Sequence, residues 1–128
     1  MPERKRARTL VGALERIAPG MPLRQGVDHI INARTGALIV IGDVEHVMPL
    51  CDGGFHIDAS FNPQRLFELS KMDGALILNE NTDRILWANV HLQPDASLTT
   101  TETGMRHRTA ERVAKQTNAL VISISQRS

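Results

Sequence analysis

The chain has 128 residues, and 15 Lys and Arg against 14 Asp and Glu give it a formal net charge of +1. A charge this small provides no global field for nucleic acid or for an anionic membrane, so any anion has to bind at a local site. Aromatic residues make up 3% of the chain and include no Tyr, which argues against a stacking surface for single-stranded nucleic acid. The length predicts one domain, and the 41% hydrophobic content predicts that it folds.

Export and membrane insertion find no support in the sequence. Cys51 is the single cysteine, so an internal disulfide is excluded, and no Cys/His cluster has zinc-ligand spacing. The longest apolar run, residues 37–41, is far too short to span a membrane, and the basic start lacks a signal core. We therefore expect a soluble, cytoplasmic protein. Residues 1–9 are expected to form a solvated basic arm, with DNA binding through Arg4 to Arg8 as a weaker alternative.

Apolar spacing predicts helices and then a buried strand in the first part of the chain. Helical spacing is kept by Leu10, Leu14 and Ile17 up to Pro19-Gly20, and by Leu23, Val27, Ile30 and Ile31 between Pro22 and Arg34. The glycine-bounded apolar run at 36–42 is typical of a strand buried on both faces. Residues 43–50 are compatible with a short helix, and 52–54 with a turn.

A capped helix and a hairpin are predicted next. Asn62 followed by Pro63 is typical of an N-cap and first helical position, and opens a helix to about Met72 with Leu66 and Leu69 facing inward. The run at 74–78 predicts a second buried strand. A turn at 79–83 then leads into a strand over 84–93, which can pair with it as a hairpin.

A polar loop over 94–104 precedes the last helix and strand. Helical spacing after Gly104 continues to about Asn118 through Ala110, Val113, Ala114 and Thr117, and residues 119–125 form the last predicted strand. Helices interleaved with short aliphatic strands predict an α/β or α+β domain with a central mixed β-sheet flanked by helices.

Asp73-Gly74-Ala75 is a candidate site because a carboxylate stands at the mouth of a predicted buried strand. The carboxylate can hold a divalent cation or orient a hydroxyl, and the two small residues let a flat ligand approach the backbone. An ordinary turn before a strand is the simpler alternative for these three residues taken alone.

Residues 103–109 form a second candidate site at the start of the last predicted helix. Arg106, His107 and Arg108 lie at the positive end of the helix dipole, where cations are normally disfavoured. A bound phosphate would balance this charge, held by the arginine forks, the Thr109 hydroxyl and the backbone amides near Met105. No Walker, Rossmann or Gly-x-Ser-x-Gly motif is present. The residues by themselves therefore predict a phosphate-binding domain in which a metal could assist.

These segments, in this order, closely resemble the diadenylate cyclase (DAC) domain of the DisA family of DNA-integrity scanning proteins. The resemblance runs from about Leu10 to Arg127. Besides 73–75 and 103–109 it includes residues 36–40, 52–55, 71–73, 88–90, 102–104 and 109–114. It implies a catalytic domain over 10–128 without the helical and DNA-binding domains of the full-length family.

The resemblance implies an enzyme that condenses two ATP molecules into cyclic di-AMP and two pyrophosphates, with Mg²⁺ or Mn²⁺ as cofactor. The implied assembly is a homo-oligomer, with a face-to-face dimer of DAC domains that becomes an octamer in full-length members. DNA would be a partner only through the C-terminal domain, and a membrane would not be one. The alternative function is a non-catalytic module that binds ATP or cyclic di-AMP and oligomerises.

The resemblance also implies a role for each candidate residue. Asp73 would serve the metal and the attacking ribose 3′-hydroxyl, and Leu92 would pack on adenine. Gly74 and Ala75 would line the ribose and base. The phosphates would be held by Arg106, His107, Arg108, Thr109 and the amides from Met105 onward, with a further hydroxyl from Ser125. The expected catalytic residues are Asp73, Arg106, His107 and Arg108. The chain departs from the family at Met105, where Thr is usual, and in a loop with Ala96 and Thr99 that is usually richer in proline.

Overall fold

The computed structural model describes residues 17–126, which form a six-stranded sheet with helices on both faces. The helices are α1 (Pro22–Asn32), α2 (Val44–Val47), α3 (Pro63–Ser70) and α4 (Met105–Gln116), with a 3₁₀ turn at Met48–Leu50. The strands are β1 (Ala37–Ile41), β2 (Cys51–Asp52), β3 (Phe55–Ser60), β4 (Ala75–Leu78), β5 (Arg84–Leu92) and β6 (Leu120–Ile124).

The strand order is β2-β5-β4-β1-β6, and β3 also pairs with β5. β1 and β4 are parallel, whereas β6 pairs with β1, and β2, β3 and β4 pair with β5, in antiparallel fashion. The predicted mixed sheet is confirmed, and so is the hairpin of β4 and β5. The Asn79 side chain closes that hairpin, since its Oδ1 accepts bonds from the backbone N–H groups of Asp83 and Arg84, each at 3.0 Å.

The two central strands are buried along their whole length, as their continuous apolar sequence predicts. Side chains alternate between the two faces of a strand. Ile39 accordingly packs with the cluster that includes Val27 of α1 and Leu66 of α3. Val40 packs on the other face with the cluster that includes Val113 of α4. The sheet thus separates two apolar layers, with α1 and α3 on one side and α4 on the other.

Helix α3 begins where its sequence predicts. The Asn62 side chain accepts a 2.7 Å hydrogen bond from the backbone N–H of Arg65, and Pro63 occupies the first helical turn. Leu66 is fully buried, and Leu69 packs against the same cluster. The helix ends at Ser70, two residues before the predicted end at Met72.

Strand β3 was not predicted: its sequence alternates apolar and polar residues, but most of its side chains are exposed and it lacks a continuous apolar run. Its position depends on backbone pairing with β5. Within the predicted turn at 52–54, Asp52 belongs to β2, and the turn is made by Gly53 and Gly54, both with positive φ. Helix α4 ends at Gln116 rather than Asn118, and Ala114 faces solvent.

Two predictions lie outside the described residues, namely the basic arm at 1–9 and most of the helix predicted from Leu10. Ile17, at the end of that helix, is described and is buried. In the part of the chain that the structure describes, no helix is both long enough and apolar enough to cross a membrane.

Candidate functional site

A cleft of about 380 Å³ opens at one edge of the sheet, beside the start of α4. It is lined by Leu38, Gly74, Ala75, Val90, His91, Leu92, Met105, Arg106 and Thr109. This volume lies in the range of small-molecule sites. The cleft therefore brings together the two segments that the sequence singled out, 73–75 and 103–109.

The floor of the cleft is apolar. Leu38 of β1 is 8% exposed, and Val90 and Leu92 of β5 are 1% and 7% exposed. Gly74 and Ala75 line the cleft next to this floor and place little side-chain volume there. A flat apolar group can lie against such a surface.

The first turn of α4 forms the polar end of the cleft. Gly104, with a φ of 84°, precedes the helix, no side chain caps its first amides, and its first turn has no acidic residue. Uncapped amides and the helix dipole favour an anion at this end. Arg106 and Thr109 line the cleft here, and Met105 is 83% exposed. This end can therefore bind phosphate oxygens through a guanidinium, a hydroxyl and backbone amides.

Asp73 lies just beyond the cleft, in a smaller cavity of about 90 Å³ that it lines together with Gly36 and Gln126. Gly74 and Arg106 line both cavities, so the carboxylate is a neighbour of the cleft. The Asp73 side chain is exposed, and among the described residues it has no hydrogen bond or ion pair. Its backbone carbonyl accepts a 2.7 Å hydrogen bond from the side-chain amide of Asn89.

Asp73 offers one carboxylate to a divalent cation whose other ligands would be water and substrate phosphates. Residues 17–126 contain no group of three or more His, Cys, Asp or Glu side chains that could hold a metal by themselves. Mg²⁺ commonly binds through one or two carboxylates and completes its shell with water and substrate phosphates. One carboxylate without a hydrogen bond or ion pair, beside a cleft that can bind phosphate oxygens, is therefore compatible with Mg²⁺ or Mn²⁺ that arrives with a phosphorylated ligand.

Three expected site residues do not line either cavity. His107 is 5% exposed, and its Nδ1 lies 2.5 Å from Oγ of Ser123 in β6, so it faces the sheet. Arg108 is exposed on the outer side of α4. The Oγ atom of Ser125 is buried, with no hydrogen-bond partner among the described residues. The structure thus brings Arg106 and Thr109 into the cleft, whereas roles for these three residues in ligand binding stay predictions.

Sequence reasoning missed three residues that line the cleft, Leu38, Val90 and His91. The first two lie in predicted strands, but the face on which each would lie depends on strand pairing. His91 carries no ligand spacing that marks it in the sequence. The alternation of side chains along β5 was the one available signal, since it puts Val90 and Leu92 on the same face.

Comparison with known proteins identifies the family. Residues 24–128 match the DAC family model, described as DisA bacterial checkpoint controller nucleotide-binding. The chain is 56% identical over 124 residues to the DNA integrity scanning protein DisA of Bacillus cereus (strain B4264) and 55% identical to that of Bacillus thuringiensis (strain Al Hakam). Each alignment covers 97% of this chain and 35% of the relative, so the chain spans about a third of the length of these curated relatives.

Two solved structures share the fold. A hypothetical membrane spanning protein from Bacillus cereus gives a TM-score of 0.71 at 23% identity, over 82% of this chain and 53% of that one. A double mutant of DacA from Staphylococcus aureus gives 0.64 at 20% identity, over 91% and 76%. The family model covers most of the chain, and the resemblance seen in the sequence is confirmed: the chain belongs to the DAC family, the nucleotide-binding domain of DisA bacterial checkpoint controllers.

Proposed function

We propose that this chain is a diadenylate cyclase domain that condenses two ATP molecules into cyclic di-AMP and two pyrophosphates. The observation that carries the proposal is that Gly74 and Ala75 meet Met105, Arg106 and Thr109 on one cleft, with Asp73 in the cavity beside it. One end of that cleft is apolar, and the other carries Arg106 and the uncapped first amides of α4. An adenine nucleotide needs both ends.

The cleft suggests how one ATP binds. Adenine lies on the floor formed by Leu38, Val90 and Leu92, with the ribose against Gly74 and Ala75. The triphosphate then extends toward the start of α4. There the planar guanidinium of Arg106 offers paired donors to phosphate oxygens, and the Thr109 hydroxyl and the first amides of the helix add further donors.

The reaction joins two nucleotides held in this way. The 3′-oxygen of one ATP attacks the α-phosphorus of the other, a new O–P bond forms, and pyrophosphate leaves with the electron pair of the broken P–O bond. Asp73 accepts a hydrogen bond from the attacking 3′-hydroxyl and orients it, and the proton passes to this carboxylate or to water. A divalent cation bound by Asp73 would neutralise phosphate charge. A second such step, with the roles of the two nucleotides exchanged, closes the ring.

Two copies of the domain must face one another, because each cleft holds one ATP and the product contains two equivalent halves. A two-fold arrangement places each 3′-hydroxyl opposite the α-phosphate of the partner. The proposed active unit is therefore a dimer that forms over the cleft.

The first test is to incubate the chain with ATP and Mn²⁺ or Mg²⁺ at several protein concentrations and to separate the products by chromatography. We expect cyclic di-AMP and pyrophosphate, with a rate per protein molecule that rises with protein concentration. ATP binding without product at any concentration would contradict the proposal and would favour a non-catalytic binding module.

The variant Asp73→Asn tests the chemical role of the carboxylate. We expect product formation to fall by about 100-fold or more, because a positioned acid–base group contributes at least this much, while ATP still binds. Asp28→Asn is the matched control, since Asp28 lies on α1, on the opposite face of the sheet, paired with Arg24. Wild-type activity in Asp73→Asn would remove Asp73 from the mechanism.

A further inference from the structure

The guanidinium of Arg106 lies directly against the backbone of Gly36, the residue that precedes β1. A β-carbon built at residue 36 would come within 2.7 Å of Cζ and 2.9 Å of Nη2 of Arg106. Real β-carbons essentially never approach other heavy atoms this closely. The guanidinium therefore occupies the space that a side chain at residue 36 would fill.

Space, and not backbone conformation, is what requires glycine at this position. Gly36 is absent from the glycines with positive φ, so an L-residue can adopt its backbone geometry. Gly74 differs, because its φ is 89° and a β-carbon there would meet the backbone of Asn89 and Val90. The three atoms nearest to a β-carbon at residue 36 all belong to the far end of a flexible arginine, so we expect the arginine to move rather than the strand.

Polar contacts hold the guanidinium of Arg106 only weakly. Its Nη1 donates one long hydrogen bond, 3.4 Å, to the backbone carbonyl of Ile124. In residues 17–126 it forms no ion pair with a carboxylate. Its positive charge is therefore not neutralised by any of these residues, and its position depends largely on the surfaces that it contacts. Gly36 supplies one of these surfaces.

We propose that Gly36 is a positioning residue for Arg106: the missing side chain forms a seat that holds the guanidinium between the two cavities, aimed at ligand phosphate. The inference rests on the proposed function in one respect, namely that Arg106 binds nucleotide phosphate. The proposal adds Gly36, which lies outside the sequence motif that contains Arg106. Gly36 contributes because it has no side chain.

The test is a double-mutant cycle made of wild type, Gly36→Ala, Arg106→Ala and the double variant. We expect Gly36→Ala to weaken binding of ATP about tenfold, the size of one hydrogen bond to a charged group. Binding of tripolyphosphate, which lacks the nucleoside, should weaken by the same factor. In the Arg106→Ala background the further loss from Gly36→Ala should be less than about twofold, because the two residues act through one contact.

A spectroscopic readout checks the position of the arginine without reference to activity. The Nε–Hε resonance of Arg106 in a ¹⁵N-correlation spectrum should shift in nucleotide-free Gly36→Ala. An unchanged resonance with unchanged ATP affinity would overturn the inference, as would an affinity loss confined to ATP and absent for tripolyphosphate.

Folding and function failures can be separated. If Gly36→Ala lowers the melting temperature, Arg106→Ala should restore it by removing the clash, and a melting temperature that stays low would show that Gly36 serves the fold and overturn the inference. If the wild-type chain binds ATP but makes no cyclic product, the proposed function fails, while the tenfold binding loss would still support the seat.

Discussion

Asn89 illustrates how one residue shapes the site. It has a φ of 58° and lies at an irregularity where β5 shifts its register against β4, between the pairs Ala75↔Val90 and Ile77↔Trp87. A bulge of this kind bends its strand and re-aims a side chain. From the bulge, the Asn89 side chain donates its 2.7 Å hydrogen bond to the backbone carbonyl of Asp73. The conformation of β5 thus fixes the turn that carries the proposed catalytic carboxylate.

Two variants of Asn89 separate its conformation from its hydrogen bond. Asn89→Gly keeps the positive φ and removes the side-chain bond, which we expect to lower the free energy of unfolding by about 1 kcal/mol. Asn89→Ala removes the same bond but keeps a β-carbon in the left-handed region without the polar side chain by which Asn tolerates it, which we expect to cost about 1 kcal/mol more than Asn89→Gly. Both should slow formation of cyclic di-AMP. Denaturant titration measures stability, and product assays measure the rate. Equal stabilities of the two variants would refute the claim that the positive φ at residue 89 disfavours Ala.

Helix α4 and the loop before it act as one element. We use the term strap for residues 93–104. Arg112 donates a 3.0 Å bond from Nε to the carbonyl of Leu98, and Lys115 donates a 2.6 Å bond from Nζ to that of Thr99. The side chains of Gln116 and Glu111 bind the strap as well. The strap runs directly into the first turn of α4, which forms the polar end of the cleft. These bonds therefore hold in place the segment that leads into that end.

The double variant Arg112→Ala/Lys115→Ala tests the strap. We expect faster cleavage within residues 93–104 by a protease that does not require Arg or Lys, because the loop loses its anchors. ATP binding should weaken by about 2- to 5-fold, the effect of one modest hydrogen bond. Arg24→Ala is the control, since Arg24 makes comparable bonds on α1, on the opposite face of the sheet. Equal cleavage of both variants would contradict the role of the strap.

At the scale of the whole molecule, Asp43 links two distant segments of the chain, at the edge of the sheet opposite the cleft. Its carboxylate accepts a 2.6 Å bond from the backbone N–H of Asn118, 75 residues away, and lies 2.7 Å from Nδ1 of His46. The Asn118 N–H and then the His46 side chain lower the pKa of Asp43, and the hydrogen bond to Asp43 raises the pKa of His46. This contact joins the start of α2 to the turn between α4 and β6.

The pKa directions predict how stability depends on pH. A lowered pKa at Asp43 contributes stability above its unfolded value, about 4, that is lost as pH falls through the folded value. A raised pKa at His46 contributes stability below about 6.5 that is lost as pH rises through the folded value. The difference in melting temperature between wild type and Asp43→Asn should therefore be largest between about pH 4 and 6.5.

His46→Gln serves as the matched variant for this pH series. It should lower the melting temperature below the raised pKa of His46 and leave it unchanged above that pKa. Melting curves between pH 3 and 8 measure both effects. A gap between wild type and Asp43→Asn that is the same at pH 3 as at pH 6 would show that the Asp43 charge does not stabilise the fold.

Local patterns in the sequence determined most of the framework. Two continuous apolar runs predicted the buried strands, and Asn62-Pro63 predicted the start of α3. Residues 73–75 and 103–109 were recognised as candidate sites. These features are local, because burial on both faces, a helix cap and a charge at a helix end each leave a mark within a few residues. Family membership could also be inferred, since ordered motifs extend over nearly the whole chain.

Only the tertiary structure decided which residues meet. Strand β3 was not predicted, because the alternation of its apolar and polar residues is short and mostly exposed, and its backbone bonds to the distant β5 leave no mark in the local sequence. The rotation of α4 decided that Arg106 and Thr109 line the cleft while His107 faces Ser123, although all three are within one turn of sequence. The guanidinium of Arg106 lies against Gly36, 70 positions away, in the space that a side chain would fill. Sequence spacing does not reveal such a contact.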